Sequence, residues 1–242
     1  MQSIVCCGDS ITRGQVSANY VEMLEKRLGQ ENFSIINSGI NNDFSYNLLQ
    51  RLDTIIALQP EIITILIGTN DVIASIDPLG LEVGLLIKGL PRSPDLDWYR
   101  ENVQKIVERL RAETNAQIGL ISIPVLGEDL ESLPIKRVIA YNQVIKEIAV
   151  RERVSYIPLF ERQVSYISSI LASKGHPFEG EFRSTVELLA NRVLRKEDYE
   201  SISRKEGFIL LTDGVHLNER AAAMVAQEIE GFIKGNSTSI EH

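Results

Sequence analysis

The sequence has no run of eighteen apolar residues, so no transmembrane helix is expected. It opens Met1-Gln2-Ser3-Ile4-Val5, with no basic stretch leading into an apolar one, so a secretory leader is not expected in this stretch. Cysteine is scarce. The only two, Cys6 and Cys7, are adjacent, and neighbours in a strand point to opposite faces, so a bridge between them is not expected. There is neither a disulfide framework nor a CxxC zinc spacing, which points to a reduced, cytoplasmic setting with no metal and no cofactor. Positive charge is in deficit: 25 Lys and Arg stand against 33 Asp and Glu, a net charge of −8. That balance argues against a nucleic-acid partner, which needs a basic face, and against a surface held to acidic lipid by charge. Aromatic residues are only 6% of the chain, with one Trp, which weighs against a long sugar-stacking cleft. The nucleophile elbow GxSxG, the phosphate loop GxxxxGK[ST], the dinucleotide fingerprint GxGxxG and the zinc motif HExxH are all missing.

What remains is an ordinary globular composition, 44% hydrophobic over 242 residues. A chain of this size buries roughly 70% of its surface on folding, enough for a core without staples. Apolar runs alternate with helical periodicities. Ser3–Cys7, Phe33–Ile36, Ile62–Ile67, Gln117–Ile121 and Val154–Ile157 read as strands, the third being apolar throughout as in a strand covered on both faces. Helices are expected from Tyr20 to Leu28, from Phe44 to Ile56 before Pro60, from Trp98 to about Ala112 and from Pro134 to about Glu152. A last helix is capped by Asn218 and buries Ala222, Val225, Ile229 and Phe232. The alternation predicts an α/β domain over residues 1–242, a three-layer sandwich on a parallel sheet of about five strands.

Two stretches exceed a plain connection and read as insertions, at about 72–96 and 160–207. The first contains the apolar GLEVGLLIKGLP and fits either an acyl-binding wall or lid, or a packed excursion or oligomer contact. In the second, Val186, Leu189, Ala190, Val193 and Leu194 recur at helical spacing, and Arg195, Lys196, Glu197 and Asp198 read as a solvated helix face.

In parallel sheets reactive groups gather beyond the carboxyl ends of the strands. That rim receives Gly8-Asp9-Ser10, Asn37-Ser38-Gly39 and Gly68-Thr69-Asn70-Asp71. Three histidines are available as a base. His242 is terminal, and His176 has no aspartate close in sequence. His216 follows Asp213 by three residues on a turn before the last helix, where a carboxylate can hold Nδ1 and leave Nε2 free. Ser10 supplies a nucleophile, although alone it fits a turn and helix cap better. Gly39 alone fits a turn, and Asn70 a turn or cap. Asp9 and Asp71 read as carboxylates that brace the rim loops, Cys7 as a small buried hydrophobe, and Arg13 as an exposed charge.

Taken together, GDSITRG, NSGINND, IGTNDV and DGVHLN, in this order, resemble the four sequence blocks of the SGNH, or GDSL, hydrolase superfamily. The resemblance implies a flavodoxin-like α/β/α sandwich and hydrolysis of an ester or thioester without metal. It makes Ser10 the nucleophile, His216 the general base and Asp213 the residue that orients it. It assigns the oxyanion hole to the backbone N–H groups of Ser10 and Gly39 and the side-chain amide of Asn70. The expected substrate is a small-molecule acyl ester of small to medium acyl length, lipid-like esters included. An acyltransferase or carbohydrate acetylesterase on the same triad, or a non-catalytic flavodoxin-like binding module, remain as alternatives.

Overall fold

Five strands form one parallel sheet in the order β2-β1-β3-β4-β5: β1 Gln2–Gly8, β2 Phe33–Gly39, β3 Ile62–Leu66, β4 Gln117–Ile121 and β5 Ser155–Ile157. The computed structural model describes residues 2–29, 33–170, 175–178 and 198–235. The third strand, expected to be covered on both faces, is so. β3 is buried at all five positions, and β1 and β4 are buried from their third and second residues onward. β2 lies at the sheet edge and is only partly buried until Gly39.

Helices cover both faces. On one side α2 (Tyr20–Leu28), α9 (Leu159–Ile170) and α11 (Glu219–Ile233) pack together. On the other lie α3 (Ser45–Gln50), α4 (Leu52–Ile56), α7 (Leu96–Glu113) and α8 (Leu133–Glu152). Each long helix follows its periodicity. In α7, Trp98, Tyr99, Asn102, Val103, Ile106, Val107 and Leu110 make one buried face, and Asp95 caps the first turn by accepting from the Trp98 N–H at 2.7 Å. In α11 the Asn218 side chain caps at the Ala221 N–H, 3.0 Å away. Because the chain runs from β1 outward to β2 and then back across to β3, the connections diverge between β1 and β3. A crevice opens at such a point beyond the strand ends.

The structure departs from the sequence expectation in two places that matter for the site. The expected Phe44–Ile56 helix is two helices, interrupted at Arg51, whose backbone leaves helical dihedrals (φ −102°, ψ 13°). Asn37-Ser38-Gly39, expected beyond a strand, belong to β2 itself and pair with Cys6, Cys7 and Gly8.

The first insertion is helical. α5 (Thr69–Ala74) is followed by α6 (Pro78–Glu82) and a π-helical turn, Val83–Ile87. They pack on a small core of Phe44, Ala74, Leu90 and Trp98, with Leu81 and Leu85 against it, while Leu86 and Ile87 stay exposed. In the second insertion α9 and α10 (Tyr199–Glu206) are described. The periodic residues Val186–Leu194 and the charged run Arg195–Glu197 lie outside the described residues, as does His242.

Candidate active site

Ser10 stands at the first position of α1 (Ser10–Arg13), immediately after β1. A single turn forms there because Asp9 accepts from the Ile11 N–H at 3.0 Å and Gly14 closes the turn in the left-handed conformation (φ 72°). The first N–H groups of a helix have no acceptor inside it, so the Ser10 amide opens outward as a donor. The side chain is 5% exposed.

His216 comes from the far end of the chain and meets it. Ser10 Oγ lies 3.1 Å from His216 Nε2, and His216 Nδ1 lies 2.7 Å from Asp213 Oδ2. The other Asp213 oxygen accepts from the backbone N–H groups of His216 at 2.7 Å and Val215 at 3.0 Å. The carboxylate is therefore fixed on both sides. Burial alone would raise its pKa, but the His216 charge and these hydrogen bonds outweigh burial and hold it below the usual carboxylate value. The turn itself is closed by Thr212, whose N–H and hydroxyl both donate to the His216 carbonyl, at 2.9 and 3.1 Å. The Leu217 N–H donates to Ser17 Oγ at 3.0 Å, which ties the turn to the chain just after α1.

Gly39 and Asn70 flank this line. A Cβ on Gly39 would stand 2.3 Å from the Arg13 nitrogen and 2.7 Å from the Thr12 carbonyl carbon, so only glycine lets β2 approach α1 so closely. Its N–H donates to Asn37 Oδ1 at 3.0 Å, and the Asn37 amide donates in turn to the Thr12 carbonyl at 2.8 Å. Asn70 is the second residue of α5, which Gly68 starts at φ 128°, a dihedral open only to glycine. One Asn70 Nδ2 hydrogen goes to the Asp43 carbonyl at 3.0 Å. An amide nitrogen carries two, so a second donor remains.

The carboxylates read as braces do brace. Asp71 accepts from the Ser45 N–H at 2.9 Å and the Ser45 hydroxyl at 2.6 Å, joining α5 to the start of α3. Burial pushes its carboxyl up to about 6, against the Ser45 hydrogen bonds. Cys7 and Cys6 are buried, and burial raises their thiols to about 12 and about 11, far from a reactive thiolate at neutral pH. Arg13 is exposed. The His176 carbonyl accepts from the Glu128 and Asp129 N–H groups, and its ring packs against Phe208 with centroids 5.3 Å apart. Among the described residues no group of three His, Cys, Asp or Glu is arranged to hold a metal ion, and no helix is long and apolar enough to cross a membrane.

Sequence reasoning overlooked a charge network under the rim. Arg51 donates to Asp43 Oδ2 at 2.7 Å, to Ser38 Oγ at 2.9 Å and to the Gly8 and Ser38 carbonyls at 3.1 and 2.9 Å. Lys88, from the first insertion, reaches the other Asp43 oxygen at 2.6 Å. One buried carboxylate thus joins the ends of β1 and β2, the insertion and the acceptor of Asn70. The only sequence signal was an Asp and an Arg eight apart, on either side of a helix start.

The family model for the GDSL-like lipase/acylhydrolase family matches residues 6–223. Similar solved structures include the acetyl xylan esterase AlAXEase (TM-score 0.66, 18% identity, 96% of this chain and 99% of that chain). Axe2, an acetylxylan esterase from Geobacillus stearothermophilus, superposes with TM-score 0.68 at 17% identity over 94% of this chain and 92% of its own. The lipase/acylhydrolase from Enterococcus faecalis gives TM-score 0.64 at 21% identity over 100% of both chains. No match was found among curated protein sequences.

Proposed function

Because the chain belongs to the GDSL-like lipase/acylhydrolase family and is a carboxylic ester hydrolase, we propose that Ser10, His216 and Asp213 are its catalytic triad. The observation that carries this reading is the continuous relay from Ser10 Oγ through His216 to Asp213, at 3.1 and 2.7 Å, between residues 206 positions apart.

In this reading Ser10 Oγ attacks the acyl carbon while His216 Nε2 takes its proton. Asp213 keeps the imidazole in the tautomer with the proton on Nδ1 and stabilises the imidazolium. The tetrahedral oxyanion is met by the Ser10 N–H and the second Asn70 Nδ2 hydrogen. The Gly39 N–H joins them by sharing its hydrogen between Asn37 Oδ1 and the substrate. Collapse passes the proton from His216 to the departing alcohol and leaves an acyl-serine. Water, deprotonated by His216, then attacks that ester and releases the carboxylic acid.

The substrate proposed is a small to medium acyl ester. Leu86 and Ile87 are 82% and 71% exposed, and the next residue, Lys88, is tied to Asp43 beneath the Asn70 side of the site. In this reading these two side chains would meet the acyl chain. A second reading, an acetyl ester on a carbohydrate, is favoured by the two acetylxylan esterases of similar fold.

The test is turnover of p-nitrophenyl esters from acetate to decanoate, with acetylated xylo-oligosaccharide in parallel, by wild type and Ser10→Ala. Loss of all turnover in a folded Ser10→Ala protein is the expected result. Retained turnover in that variant would refute the triad. The acyl profile, set against release of acetate from the oligosaccharide, separates the two substrate readings.

A further inference from the structure

The turn bearing Asp213 and His216 stands outside the five-stranded sheet. What it hangs from is residues 209–211: Leu211 bridges to Leu217, and the N–H of Thr212 closes on the His216 carbonyl. Those residues are gathered by a single side chain from the opposite side of the rim. Glu128, in the connection after β4, is 1% exposed. Its Oε1 accepts from the N–H groups of Ile209, Leu210 and Leu211 at 3.1, 2.7 and 3.1 Å, and its Oε2 accepts from Ile209 at 2.8 Å. Three consecutive amides converge on one carboxylate. The neighbouring backbone reinforces the join. The Gly127 N–H donates to the carbonyl of Gly214, the residue after Asp213, at 2.8 Å, and the Glu128 and Asp129 N–H groups hold the His176 carbonyl at 2.6 and 3.0 Å.

A charged acceptor makes these bonds roughly twice as strong as neutral ones, and burying it costs several kcal/mol. A neutral side chain can also hold this segment, as Asn218 does by donating to the Ile209 carbonyl at 2.9 Å. The Glu128 carboxyl, whose pKa burial raises against these hydrogen bonds, gathers three backbone donors at once, where the Asn218 amide meets one carbonyl of the segment. We propose that Glu128 is a positioning residue, whose carboxylate fixes the Ile209–Leu211 backbone and thereby sets where His216 presents Nε2 to Ser10. The inference rests on the triad reading above and adds a residue that none of the four sequence blocks contains.

Glu128→Gln tests it with little change of shape. The amide keeps one acceptor oxygen and turns an NH₂ group toward at least one of the three backbone donors. The expected result is a folded protein whose kcat falls about 10²-fold, the effect of misplacing a catalytic group by about 1 Å, with KM unchanged. The low-field proton resonance of the His216–Asp213 hydrogen bond shifts or broadens in the resting variant, before any substrate is added. Glu128→Asp restores the charge one methylene short and recovers part of the lost kcat. Wild-type kcat and an unmoved resonance in Glu128→Gln would overturn the inference. So would a Glu128→Gln protein that no longer folds, since the residue would then serve the whole chain and not the alignment of one histidine. Ser10→Ala, assayed beside it, keeps the two levels apart. Activity surviving in Ser10→Ala sinks the triad itself, whereas an inactive Ser10→Ala beside a fully active Glu128→Gln sinks only the role of Glu128.

Discussion

Replacing Asp71 with asparagine should make the protein more stable at neutral pH and less stable in acid. The carboxyl is buried, and its pKa is raised from 3.8 to about 6 by that burial. A folded-state value above the unfolded one means that the folded chain holds the proton more tightly. The protonated group therefore contributes its full stability below about 3.8, and that contribution is lost as pH rises to about 6. The interval corresponds to roughly 3 kcal/mol withdrawn at neutral pH, at about 1.4 kcal/mol per pH unit. Asparagine does not titrate and escapes this loss. It can still accept from the Ser45 N–H, but the Ser45 hydroxyl loses its acceptor, a cost of roughly 1 kcal/mol at every pH. The wild type should thus be ahead by about 1 kcal/mol near pH 4 and behind by about 2 kcal/mol near pH 7.5. Urea unfolding of both proteins across this range, compared at matched pH, measures the difference directly and cancels every other titrating group. A difference that stays flat, or that grows in favour of the wild type as pH rises, would refute the reasoning.

Gly39→Ala should lose both stability and turnover, since its Cβ would collide with the backbone of α1 beneath Ser10. Thermal unfolding should register on the order of 1–3 kcal/mol, as for other overpacked sites. Asn70→Ala should cost about 10²–10³ in kcat on p-nitrophenyl acetate, the usual price of one oxyanion donor. Leu86→Ser with Ile87→Ser should leave stability within about 0.5 kcal/mol, because both side chains face solvent. The same pair should lower kcat/KM for decanoate relative to acetate, and an unchanged ratio would remove them from the acyl wall.

The reach of sequence reasoning followed the range of the forces involved. β3 and α7 were legible because burial on both faces, or on one stripe, writes an unbroken run or a helical period into consecutive residues. Ser10, Gly39, Asn70, Asp213 and His216 were legible as candidates only jointly, as four blocks in order, because each alone fits a turn or a cap. Arg51 was not, although it interrupts a helix, because its partners Ser38 and Gly8 lie 13 and 43 positions away. Glu128 left no local mark at all, since its bonds reach 81 to 83 residues forward. The apolar stretch around Leu86 was ambiguous for another reason. A π-helical turn advances less per residue than an α-helix, so helical spacing misplaces which side chains face outward.

The 206-residue span between Ser10 and His216, its base in the proposed triad, has a consequence in time. At about 5–20 residues per second, a ribosome needs roughly 10–40 seconds after making Ser10 before it makes His216. Throughout that interval the emerging polypeptide holds Ser10 without the histidine that would deprotonate it in the proposed triad. In the proposed mechanism turnover begins only once His216 has been made and α11 has docked on α2.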